Sequence, residues 1–156
     1  MKFSTSTFTA TLLVASLVAP ALALAASAHF LGAPTFTDNG TTLKAKGSVA
    51  GLGEDDIDVE LTTAGIASVT CSNPAGNVAP GQDTEVSASA TKENLEPKNG
   101  RVNFTLETTT PTVTGAQACP NAKWTATVTD VEFVSATITV FAAGTDDVLL
   151  TQTFQL

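Results

Sequence analysis

Leu43, Ala45, Gly47 and Val49 are separated by Lys44, Lys46 and Ser48, and this two-residue period returns through most of the chain. Ile57, Val59 and Leu61 alternate with Asp58, Glu60 and Thr62. Val102, Phe104 and Leu106 do so with Asn103, Thr105 and Glu107, and Trp124, Ala126 and Val128 with Thr125, Thr127 and Thr129. Successive side chains of a strand point to opposite faces, so the pattern gives each segment one apolar and one wet face. Threonine fills many of the wet positions, where a β-branched polar side chain fits a pleated surface. No long window carries the 3.6-residue apolar stripe of a helix; only 92–96 reads as a short helical turn.

Turn-forming residues cut these runs at the spacing of an all-β domain. Asp38-Asn39-Gly40, Gly51-Leu52-Gly53, Asn73-Pro74-Ala75-Gly76, Glu96-Pro97-Lys98-Asn99-Gly100 and Gly144-Thr145-Asp146 are the clearest breaks. They predict about eight or nine strands, near 30–37, 41–50, 56–63, 65–71, 84–90, 101–109, 124–130, 132–142 and 147–155. Two long loops are expected, over 72–83 and 110–123. Such a count fits an antiparallel immunoglobulin- or fibronectin-like β-sandwich. The antibody arrangement, a Trp between two cysteines, is absent: Trp124 follows Cys119. Phe36, Phe104, Phe133, Phe141 and Trp124 occupy positions expected to be core.

The first 28 residues have another character. Lys2 precedes the apolar run Thr11–Val18, Pro20 ends it, and two small-x-small sites follow, Ala23-Leu24-Ala25 and Ala26-Ser27-Ala28. That is the order of a secretory signal peptide, too short to span a bilayer, with cleavage expected after Ala28 or Ala25. Residues 29–156 then form a single domain of a size that can build its own core. An exported protein folds where disulfides persist, so Cys71 and Cys119 are expected to form one bridge. It would close a loop of about 49 residues, for which chain entropy gives roughly 4 kcal/mol. Seven basic residues face fifteen acidic ones, a net charge of −8, and loss of Lys2 makes it −9. Such a chain repels phosphate backbones and gains nothing from an anionic bilayer, so neither nucleic acid nor membrane insertion is expected.

Few residues suggest chemistry. His29, the only histidine, would become the N-terminus after cleavage at Ala28. There its amino group and imidazole could chelate Cu(II) with nearby carboxylates. The copper brace of secreted polysaccharide monooxygenases needs a second His that this chain lacks. Asp55, Asp56 and Asp58, in the run Glu54–Glu60, could offer oxygens to Ca²⁺, joined by Asp146 and Asp147, though the calcium-loop signature is missing. The competing reading is a solvated acidic strand edge. No nucleophile elbow, phosphate loop or metal-spaced Cys/His cluster is present, and the carboxylates, Glu107, Asp130 and Glu132 included, fall in turns or on wet strand positions. The chain therefore reads as a non-enzyme without a cofactor. Asn39-Gly40-Thr41 and Asn103-Phe104-Thr105 are glycosylation sequons in a eukaryotic host.

Ala28-His29-Phe30-Leu31, Gly51-Leu52-Gly53, Cys71 with Asn73, Gly76, Asn77 and Pro80-Gly81-Gln82, and Cys119-Pro120 together carry a likeness. On these residues the chain resembles a family of small secreted two-cysteine proteins of unassigned activity from filamentous fungi and actinobacteria. The resemblance implies a β-sandwich and no catalytic residues. The expectation is a non-enzymatic secreted interaction protein, a fungal effector or elicitor acting in a host apoplast. Its partner would be an extracellular protein or a cell-surface or cell-wall component. A cell-wall-associated structural protein and a copper- or calcium-binding extracellular protein or enzyme are the alternatives.

Overall fold

A computed structural model describes residues 27–156, so the leader reading, Ser27 and Ala28 apart, lies outside the described residues. These residues form two antiparallel sheets, as the alternation requires. The first holds β1 (His29–Phe30), β2 (Thr35–Asp38), β3 (Leu43–Ala50) and β7 (Arg101–Glu107), with β3 central. The second holds β4 (Ile57–Ser72), β5 (Val78–Pro80), β6 (Thr84–Leu95), β8 (Thr125–Ala142) and β9 (Val148–Gln155). Here β4 lies between β8 and the pair β6 and β5, and β9 flanks β8. Leu43, Val49, Ile57, Val59, Leu61, Phe104, Ile138 and Val140 are buried between the sheets.

Several expected boundaries move, each for a local reason. The 30–37 segment divides into β1 and β2 because Gly32 turns the chain at φ +82° and Pro34 has no N–H to donate to a ladder. Segments 56–63 and 65–71 fuse into β4, whose pairing to β6 and β8 runs through Gly65. Segments 124–130 and 132–142 fuse into β8 by absorbing two bulges, at Thr129 and Val134, each skipped in the register with β4. An extra residue exchanges the faces of everything beyond it. Hence Phe133 is buried, whereas Phe141, eight residues on, lies opposite Asp58 on the outward side and is not core. Phe36 and Trp124 are half-buried against the core. The 92–96 turn is not helical: β6 runs to Leu95 with a bulge at Asn94, φ +53°. The short helix α1 (Gly115–Ala118) has no counterpart in the sequence reading.

The two sheets differ in length. At about 3.3 Å per residue the eight residues of β3 reach roughly 26 Å, and the sixteen of β4 twice that. The Gly40 carbonyl, at one end of the first sheet, accepts from the Val131 N–H at 3.0 Å. Beyond that point 68–72 and 125–130 run on without the first sheet to cover them. The connection from β7 to β8 covers this overhang instead, burying Thr108, Val113 and Ala118. Gly115 passes so close to the Trp124 carbonyl that any Cβ there would collide with it.

Candidate functional site

The overhang is where the long loops meet. Cys71 is fully buried, and its bridge to Cys119, Cα–Cα 5.7 Å, pins the 110–123 segment to the end of β4. The Gln82 N–H donates to the Ala118 carbonyl at 2.8 Å, joining this segment to the 72–83 stretch, expected as one long loop but holding the short strand β5 paired to the end of β4. The Gly81 N–H donates to the Val69 carbonyl at 2.7 Å, which holds that loop against β4. Each loop is also braced from within. Asn73 Oδ1 accepts from the N–H groups of Ala75 and Asn77, and Gln117 Oε1 accepts from the Thr114 N–H and hydroxyl. Asn121 Oδ1 accepts from the Lys123 N–H. The resulting tip exposes Pro74, Asn77, Val78, Gln82, Gln117, Pro120 and Asn121, amides and small apolar groups flanked by the exposed Asp83 and Lys123. Side chains fixed on a rigid frame in this way lose little freedom when they bind.

A second surface is the outer face of the long sheet. Pairing registers align Ser89, Thr62, Thr137 and Thr153 in one row across four strands, and Thr91, Glu60, Thr139 and Thr151 in the next. Neighbouring hydroxyls touch, Thr137 to Thr153 at 2.8 Å and Thr139 to Thr151 at 3.2 Å. Strand geometry spaces such rows about 6.8 Å apart, with about 4.8 Å between strands. At its margin Glu60, Thr62, Ser87, Ser89 and 109–112 line a groove of about 420 Å3. The sequence placed these threonines on wet positions; their alignment into rows depends on register between distant segments.

The sequence-predicted metal ligands do not assemble. Among the described residues no three His, Cys, Asp or Glu side chains lie together as a metal site. His29 donates from Nδ1 to the Ser27 carbonyl at 2.8 Å. Asp58 serves a structural purpose: Oδ1 accepts from the Asn94 N–H at 2.7 Å and Oδ2 from the Gly144 N–H at 3.2 Å, strapping the β6 bulge and the β8–β9 turn to β4. Nearby, Asp56 offers its carbonyl to the Ala143 N–H at 3.0 Å, and Asp55 stays exposed.

Of the sequon residues, Asn39 is exposed and donates from Nδ2 to Glu107 Oε1 at 3.0 Å, while Asn103 accepts from the Ser48 hydroxyl through Oδ1. Glu107 also accepts from the Thr42 hydroxyl at 3.0 Å and faces Lys44 Nζ at 3.8 Å. The Thr42 and Asn39 hydrogen bonds, assisted by Lys44, hold its carboxyl below the ordinary value. This group ties the 39–42 turn to β7.

No family model, curated protein or solved structure matches the chain.

Proposed function

We propose that this is a secreted, non-enzymatic interaction protein that binds through the two joined loops, as a fungal effector or elicitor acting on a host surface. The observation that carries the reading is the tip itself: two long loops fixed to each other and to β4 by the Cys71–Cys119 bridge and the Gln82–Ala118 hydrogen bond. The bridge is also compatible with an oxidising, extracellular compartment. The order β2-β3-β7 facing β6-β4-β8-β9 supports the immunoglobulin- or fibronectin-like reading, in which end loops commonly bind. The resemblance to small secreted two-cysteine fungal and actinobacterial proteins points the same way.

Infiltrating purified 26–156 into leaf tissue tests the proposal. A defence response, or suppression of one, is expected, and a chain with Asn77, Gln117 and Asn121 changed to Ala should lose it. No response across several hosts overturns the effector reading.

The hydroxyl rows favour a second reading, association with cell-wall polysaccharide, because a flat array of donors and acceptors suits a hydroxylated surface. Co-sedimentation with insoluble chitin or β-glucan, lost in Thr137→Val/Thr153→Val, would support it. Finding the protein only in the culture medium would exclude it.

A further inference from the structure

Ala25–Ala26 and Ala28–His29 are among the peptide bonds that satisfy the small-x-small rule for leader removal, and the packing of the N-terminal edge separates these two. We propose that the mature protein begins at Ala26, so that Ser27 and Ala28 remain as working parts of the sandwich. This inference rests on the export reading above. In the step itself water adds across the Ala25–Ala26 bond, leaving a carboxylate on Ala25 and an α-ammonium on Ala26.

Three observations tie Ser27 and Ala28 to the edge of the fold. Ala28 is half-buried and packs against the hydrophobic core. The Ser27 carbonyl accepts the His29 Nδ1 proton at 2.8 Å, which fixes the imidazole beside the backbone two residues before it. At Gly51, φ +74°, the chain leaves β3 and runs directly against Ser27. A Cβ there would collide with the Ser27 carbonyl and stand 3.3 Å from the Ala28 nitrogen. Position 51 thus needs glycine for two reasons, its left-handed backbone and the closeness of Ser27.

Cleavage after Ala28 would remove all of this. Cleavage after Ala25 leaves the edge intact. It also denies His29 a free α-amino group, so the terminal copper chelate that the sequence suggests could not form.

N-terminal sequencing and intact mass of the protein collected from its producer's medium form the test. Ala-Ser-Ala-His-Phe is the expected reading. A start at His29 overturns the inference while leaving export standing, whereas a cell-retained chain that still carries Lys2 overturns export itself. A physical control uses 26–156 and 29–156 made separately. The shorter chain should melt lower, by about 4 °C or more, and equal melting temperatures would remove the structural ground. Gly51→Ala should lower the melting temperature of 26–156 more than that of 29–156, because only the longer chain holds the carbonyl that the new methyl meets; equal losses in the two chains would likewise count against the inference.

Discussion

At the residue scale, two carboxylates act as fasteners. Asp58 accepts from backbone N–H groups on two separate segments, the β6 bulge at Asn94 and the β8–β9 turn at Gly144. Asp58→Ala leaves both donors to water, and a loss of about 1 kcal/mol is expected in urea unfolding, with faster amide exchange at 94 and 144. Glu107 makes a pH-dependent contribution. Its folded-state pKa lies below the unfolded value, so the stabilisation is complete above the unfolded-chain carboxylate range and is lost as pH falls through the folded value. Glu107→Gln should therefore melt below the wild type at pH 7, with the deficit shrinking as pH falls below the ordinary carboxylate range, as thermal scans across that range would record. The deficit should be small, since the group is solvent-exposed.

At the element scale, β8 shows how a strand outlasts its own pattern. Between Val128 and Val131, and again between Phe133 and Ala136, inward residues stand three apart, and the extra residue in each interval is Thr129 or Val134. Thr129 makes use of its bulge by donating its hydroxyl to the Ser68 carbonyl at 3.0 Å. Deleting Val134 would swap the faces on one side of that point, sending Ala136, Ile138 and Val140 outward or Val131 and Phe133 with them. Loss of cooperative thermal unfolding, followed by near-ultraviolet circular dichroism, is the expected outcome. The sequence presents the two halves of β8 as separate strands because alternation breaks at a bulge much as it does at a turn. Only the partner strand, continuing opposite both halves, distinguishes the two cases.

At the scale of the whole molecule, the mismatch between a short sheet and a long one creates the site. The 108–124 connection must cover apolar positions such as Val69 and Cys71 that the first sheet does not reach, and the disulfide holds it there. Replacing both cysteines with Ala should cost about 2–5 kcal/mol in denaturant unfolding. Hydrogen exchange should rise over 78–83 and 110–123 while β3 and β7 stay protected; uniform loosening would show that the bridge supports the entire sandwich. Much of this fold was legible beforehand. Alternation is a local property, so the sequence by itself determined the all-β class, most strands, their wet and dry faces, and the pairing of its two cysteines. Leu43, Ile57, Phe104 and Ile138 are buried because their neighbours one position away are polar, a relation that needs no tertiary partner to be seen. What joins residues far apart in the chain only the tertiary structure decided. It aligned Thr62, Thr137 and Thr153, turned Phe141 outward, set Asp58 against the Asn94 and Gly144 backbone, and placed Ser27 against Gly51. Register, sheet length and loop contact arise from the packing of separate segments, and no period within one segment encodes them.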